Sequence, residues 1–275
     1  ERGLATEERC MGTDGEPTVS AKWGYAWAGK RYDERGHKVE VRLFGPNDRP
    51  IPNGEGYAGW TMRYDDRGNL IESAHFGPDG EPTRGSHGCA TERFGYDDRG
   101  RKIGTECLDG DGRPVYCTHG GSRSEVRYDA RGNEVEGVFY GPDGEPAESG
   151  DSRARRTRTY DALGNLVEEA YFGKDGRPTA RSDGIARLEQ EYDERGRRTG
   201  QRFFGAGGSP CCPPTARRGG TSCSMPPGTR SKRPTSGSTA GRPRTRRASL
   251  DTDPSTMRAG MSWSSPASVR TIGPS

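Results

Sequence analysis

Tyr160-Asp161-Ala162-Leu163-Gly164-Asn165-Leu166-Val167-Glu168-Glu169-Ala170-Tyr171-Phe172-Gly173-Lys174-Asp175-Gly176-Arg177-Pro178 is the stretch that decides the fold. It holds eight residues, Asn165 to Phe172, between two turn signals. Asp-x-x-Gly-Asn places glycine where a left-handed backbone is needed, with side-chain oxygens near free amides. Gly-x-Asp-Gly-x-Pro closes a second turn. Leu166, Val167, Ala170 and Tyr171 also fit one helical face, but so short a segment between glycine turns favours a strand.

The same stretch recurs along the chain. Tyr-Asp begins at Tyr32, Tyr64, Tyr96, Tyr128, Tyr160 and Tyr192, always 32 residues apart. Four residues after each Tyr stands Gly36, Gly68, Gly100, Gly132, Gly164 or Gly196. Twelve after it stands Phe44, Phe76, Leu108, Tyr140, Phe172 or Phe204, and eighteen after it a proline, from Pro50 to Pro210. The unit reads Y-D-x-R-G-N-x-V-E-x-x-x-F-G-P-D-G-x-P, then a looser half often ending G-x-A. Val39, Val41 and Leu43 alternate with Glu40 and Arg42, which is strand periodicity. The spacing predicts strands at 38–44, 70–76, 102–108, 134–140 and 166–172, with a second strand in each looser half, such as 56–64.

The expectation is an all-β protein. Residues 1–210 form about six and a half tandem β-hairpin units stacked as a solenoid or curved sheet. Equivalent Tyr and Phe side chains would line up as a ladder through a thin core. The opening Glu1-Arg2-Gly3 reads as a unit whose Tyr-Asp is missing, as in a fragment of a larger protein.

Composition agrees with a thin core. Hydrophobic residues are 28%, with 43 glycines and 20 prolines, too little apolar material for one large interior. No apolar run is long enough for a transmembrane helix. The net charge of +3 hides two halves. Residues 211–275 hold 11 of the 43 Lys+Arg and 2 of the 40 Asp+Glu, leaving 32 and 38 in residues 1–210, a net of −6 there.

The wording Tyr160-Asp161-Ala162-Leu163-Gly164-Asn165-Leu166-Val167-Glu168 resembles a YD repeat of the Rhs type, found in large bacterial surface and toxin proteins. The matching positions are each Tyr-Asp pair and the Gly four residues after the Tyr, across roughly residues 1–210. The resemblance implies β-hairpins that coil into a shell, in some members around a toxin domain, and a cell-surface or secreted location. It brings no catalytic residues. The family's usual unit is shorter, and the Gly-Pro-Asp-Gly-x-Pro half is not part of it.

After residue 210 the aromatics nearly vanish, and Ser, Thr, Pro, Arg and Gly take over. Thr229-Arg230-Ser231-Lys232-Arg233-Pro234-Thr235-Ser236-Gly237 is what the codons of Asn-x-Val-Glu-Glu-Ala-Tyr-Phe-Gly give when read one base late. Thr256-Met257 is a shifted Tyr-Asp at the place the register demands. Residues 211–275 therefore read as a disordered tail, a frameshifted copy of further repeats. Its run Arg242-Pro243-Arg244-Thr245-Arg246-Arg247 is not expected to bind nucleic acid specifically.

No constellation for chemistry emerges. Asp109-Gly110-Asp111-Gly112 starts like a calcium loop, but the twelfth position is Gly120, where a bidentate Glu is needed. A two-glycine turn is the better reading. The cysteines Cys10, Cys89, Cys107 and Cys117 lack a C-x-x-C spacing, so no zinc site is signalled. Cys107 and Cys117 flank one turn and can pair across it in an oxidising compartment, or serve as small buried apolar groups. His37, His75, His87 and His119 fall in separate units with no partner signature for a nucleophile. Glu40, Glu72, Glu136 and Glu168 would stack on one face, with Arg35, Arg67, Arg99 and Arg131 as cross-strand partners.

The sequence thus points to a non-catalytic module for binding, adhesion or scaffolding, without cofactor or metal. Trp23, Trp27 and Trp60 are candidates to grip a glycan or protein ligand. The alternatives are casing repeats of a toxin or enzyme whose catalytic domain lies outside these residues, and a remnant in a decaying gene.

Overall fold

The computed structural model describes residues 4–118, 120–150 and 152–211. The tail expectation, except at Cys211, and His119 lie outside the described residues. Among the described residues thirteen strands follow in chain order: β1 (Glu7–Arg9), β2 (Trp27–Tyr32), β3 (Lys38–Phe44), β4 (Gly59–Tyr64), β5 (Leu70–Phe76), β6 (Thr91–Tyr96), β7 (Lys102–Leu108), β8 (Arg123–Tyr128), β9 (Glu134–Tyr140), β10 (Arg155–Tyr160), β11 (Leu166–Phe172), β12 (Arg187–Tyr192) and β13 (Arg198–Phe204). They form one open sheet in sequential order, each antiparallel to its neighbours. The five strands expected from the Tyr-Asp spacing stand where the register put them, and Leu166–Phe172 is a strand rather than a helix.

Each unit is a hairpin closed at the Tyr-Asp turn. Asp65 N–H donates to Asn69 O at 2.9 Å, and Gly68 N–H donates to Asp65 O at 3.0 Å. Gly68 sits at φ +86°, a region costly for side chains bearing Cβ. A bulge follows in every hairpin: Arg63 opposes Glu72 and Tyr64 opposes Leu70, leaving Ile71 unpaired.

The longer connection between hairpins contains two successive turns. In the first, Gly77 N–H donates to Glu81 O, and Phe76 bridges Pro82. In the second, Gly85 N–H donates to Cys89 O and Gly88 N–H to Gly85 O. The G-x-A ending belongs to this second turn. Its small residue is buried in every unit, as Ala26, Ala58, Ala90, Ser122, Ala154 and Ala186. Ala90 donates its N–H to Leu108 O and accepts from His75 N–H, both at 2.8 Å, so it ties β5 to β7.

Alternation along the strands gives the sheet two unlike faces. One carries Ala28, Val41 and Leu43, with Tyr25, Tyr57, Trp60 and Met62 packed on them. The twelfth-place row, Phe44 to Phe204, stands on the opposite face and is half-buried except at Leu108. The expected single ladder of Tyr and Phe is therefore two separate rows. The reason is parity: Phe44 opposes Trp27, one residue off the Ala28 and Leu43 pair.

Candidate interaction faces

The Tyr-Asp motif is a stacking device in which each residue has its own task. Tyr64, Tyr96, Tyr128 and Tyr160 donate their hydroxyls back to the carbonyls of Lys38, Leu70, Lys102 and Glu134, each 26 residues earlier, at 2.9–3.1 Å. Arg35, Arg67, Arg99 and Arg131 reach forward to the carbonyls of Asp66, Asp98, Ala130 and Ala162, each 31 residues later. The Asp stays within its own turn. Asp65 Oδ1 accepts from the amides of Arg67 and Asn69, and its Oδ2 accepts from the Asn69 side chain at 2.8 Å. Such bonds hold Asp129 and Asp161 below the usual carboxylate range, the Asn133 and Asn165 side chains being the foremost cause.

This corrects one expectation. The turn arginines are not the partners of the strand glutamates, because they lie past the strand ends and extend along the stack. The glutamates pair instead with arginines on neighbouring strands, and Glu40 also with one on its own strand. Glu40 accepts from Arg31 at 2.6 Å and Arg42 at 2.5 Å. Glu72 accepts from Arg63 and Arg93, and Glu136 from Arg127 and Arg155. Glu40 and Glu136 are buried among guanidiniums, which supply the charge partners that a desolvated carboxylate needs. On the same face the arginines cover the aromatic row: Arg123 lies 4.4 Å from the Tyr140 ring centre, Arg155 5.4 Å from Phe172 and Arg187 4.2 Å from Phe204.

On the other face, the residue before each buried Ala meets the residue 18 further on. The pair is Tyr57 against His75, ring centres 4.7 Å apart. It is Cys89 against Cys107 in the next unit, joined as a disulfide with Cα atoms 5.3 Å apart. Then it is Gly121 against Phe139, and Arg153 with its guanidinium 5.5 Å from the Tyr171 ring. Of the two readings left open for Cys107 and Cys117, a bond between them or two small apolar groups, neither describes Cys107. The structure gives it Cys89 as partner because the turn before β6 folds onto β7, whereas Cys117 keeps a free thiol. The same face changes character along the array, from apolar at Val41 and Leu43 to polar at Glu169, which accepts from Arg158 at 2.8 Å and Tyr171 at 2.6 Å. Burial, then the bond to Glu169, pushes Tyr171 up to about 12.

The three tryptophans do not form one stripe. Trp27 lies on the arginine face, stacked on Phe44 at 4.0 Å, with its indole N–H donating to Asp48 at 2.9 Å. Trp60 packs with the apolar cluster on the other face. Trp23 is exposed in a connection, under Lys22. Asp109-Gly110-Asp111-Gly112 is a turn: Asp109 Oδ1 accepts from the amides of Asp111 and Arg113. Among the described residues no cluster of three or more His, Cys, Asp or Glu is placed to hold a metal, and no helix is long and apolar enough to cross a membrane. A shallow cleft of about 530 Å³ lies between the first two Tyr-Asp turns, lined by Asp33, His37, Met62 and Tyr64 among others.

No family model matches the chain, and no curated protein sequence matches it. Among solved structures it is similar to the Photorhabdus luminescens Tc holotoxin pore bearing a mutated TccC3, at 15% identity and a TM-score of 0.37, over 65% of this chain and 9% of that one. It is also similar to a TcdB2-TccC3-TEV structure, at 11% identity and a TM-score of 0.35, over 74% of this chain and 10% of that one. A third similar structure is TcdB2-TccC3, at 14% identity and a TM-score of 0.30, over 70% and 11%. The chain thus spans about a tenth of the length of the chains it matches.

Proposed function

We propose that residues 4–211 act as a non-catalytic repeat module for binding, adhesion or scaffolding. One observation carries the reading. The recurring residues of most units are engaged in their own turn or in the step to an adjoining unit: Tyr back, Arg forward, Asp within, Ala beneath. The residues that vary stand on the two faces, repeated at a step of two strands, or about 9.5 Å. Like positions spread along a line suit an extended ligand, whereas catalysis needs unlike groups converging on one point.

The arginine face is the better candidate surface, and Trp27 on Phe44 is its broadest ring pair. The test is retention of the full chain on immobilised polysaccharides and peptidoglycan. The expected result is retention on an extended glycan, weakened about fivefold by Trp27→Ala, since ring stacking is worth about 1 kcal/mol. Trp60→Ala serves as a control from the opposite face. Hydrolysis of any such polymer, abolished by a single substitution, overturns the non-catalytic reading.

The second reading, casing for a domain outside these residues, draws on the edge of the sheet. β13 has no outer partner among the described residues. It occupies the same place in the unit as β3, β5, β7, β9 and β11, each of which accepts a further strand. A gene whose reading frame continues in repeats past codon 211 and ends in a different domain would favour casing over adhesion.

A further inference from the structure

Two connections from successive units meet on the apolar side of the sheet. Thr118 N–H donates to His87 O at 2.9 Å, which holds the turn after β7 against the turn before β6. Between them lies a cavity of about 230 Å³, whose lining includes His87, Glu92, Cys107, Cys117 and Phe139. His87 Nδ1 is 3.0 Å from Glu92 Oε1, so the carboxylate orients the imidazole. Cys117 carries a free thiol, which donates to Gly120 O at 3.5 Å. Cys107 is one half of the disulfide to Cys89. One cavity is thus lined by a cysteine with a free thiol, a histidine set by a carboxylate, and one cysteine of a disulfide. Glu106 and Arg123 also line it, but their side chains belong to the opposite face, where Arg123 lies over Tyr140 and Glu106 pairs with Arg93.

We propose that this cavity is a thiol–disulfide exchange site, in which Cys117 attacks Cys107 and displaces Cys89. The attacking species is a thiolate, so the Cys117 proton passes to His87, whose imidazole takes the role of base. Cys117 Sγ then forms a bond to Cys107 Sγ as the Cys107 to Cys89 bond breaks. Cys89 leaves as a thiolate and takes up the proton from His87. One disulfide and one thiol remain, so no outside oxidant or reductant is needed. Cys107 is the sulfur attacked because it lines the cavity. Cys89 does not, although both are buried, at 5% and 1% exposure for Cys107 and Cys89. The exchange moves the clamp on β7 from the connection before its hairpin to the connection after it, which belongs to the next step of the array.

The test uses the full chain with Cys10, Cys211, Cys212 and Cys223 replaced by Ser, alkylated and then mapped by non-reducing trypsin digestion. Cys107 and Cys117 share the peptide 103–123, since trypsin does not cut at Arg113 before Pro114. Their pairing closes that peptide on itself, two hydrogens lighter, whereas the resting pair joins it to the peptide of Cys89. Incubation without reductant at mildly alkaline pH is expected to yield both linkages. Cys89→Ser, oxidised in a glutathione buffer, is expected to give the Cys107 to Cys117 linkage alone. His87→Gln is expected to slow the approach to equilibrium about a hundredfold, the lower end of general-base assistance, without changing the final ratio. The proposal is overturned if the parent chain shows only the Cys89 to Cys107 linkage with Cys117 fully alkylated, whether or not the Cys89→Ser chain folds. It is equally overturned if folded Cys89→Ser keeps both remaining thiols free.

Discussion

Ser152 takes φ +58° at a turn position where Gly56, Gly88, Gly120 and Gly184 stand in other units. A residue with Cβ is disfavoured there by about 1 kcal/mol, so Ser152→Gly is expected to stabilise the chain by about that much in urea unfolding. Asp48 also sits at φ +58°, but its carboxylate receives the Trp27 indole. Asp48→Gly relieves the backbone and loses that bond, and no comparable gain is expected. His75 gives a pH dependence. Its ring is packed against Tyr57 and over Gly85, where a Cβ would lie 2.8 Å away. Burial pushes its pKa below the ordinary value, against the pull of the Glu92 carboxylate, with a further push from His87 and a lesser pull from Glu55. The unfolded chain then binds the proton first as pH falls. Stability is full above the ordinary histidine pKa and declines as pH drops below it toward the lowered folded value. Thermal unfolding followed from pH 7.5 to 5 should show this loss, and His75→Phe should remove it. These residues were the least legible in the sequence. His75 and Cys107 occupy one position of the unit, and only the stacked register shows what faces each.

The turns and strands were legible because their signals are local. Tyr-Asp, Gly four residues on and the Pro after the second turn each act through their own backbone, and the odd strands fall between them. The G-x-A ending was also visible, yet its meaning was not. A buried alanine such as Ala90 is defined by two strands, one reaching it through His75 and the other through Leu108. Ala90→Leu is expected to cost about 1–3 kcal/mol by overpacking, whereas Leu163, which is 66% exposed, tolerates change. Leu163 in fact breaks the motif: the other turns carry arginine there, and Arg35, Arg67, Arg99 and Arg131 reach 31 residues forward. Leu163→Arg should let the guanidinium meet the carbonyl of Glu194, adding about 1 kcal/mol or less to stability. Chemical denaturation of the single variant checks it, and an unchanged midpoint would show that the forward arginine adds nothing. The cross-unit bonds of Tyr and Arg were missed for the same reason as the alanine. A partner in the adjoining unit leaves no local mark, although its spacing is fixed by the period.

At the scale of the molecule, each hairpin touches only its neighbours in the sheet. Stability in such an array is close to a sum of unit and interface terms. Opening is therefore expected to begin at the two edges, β1 and β13, and to reach β6 to β9 last. The fixed period explains how so polar a chain makes a continuous sheet: the connections are covered by alanine, the faces by paired charge, and the steps by tyrosine and arginine. The central claim is that successive units are locked in register through these steps. Residue-resolved amide hydrogen exchange tests it most directly, read at the amides of Ala58, Ala90, Ala154 and Ala186, which donate to Phe76, Leu108, Phe172 and Phe204. The account predicts protection at all four, greatest at Ala90, with Tyr96→Phe lowering it at Ala90 by about fivefold or more, as the loss of a bond worth about 1 kcal/mol implies. Free exchange at these alanines in the folded chain, or protection that ignores the repeat period, would contradict it.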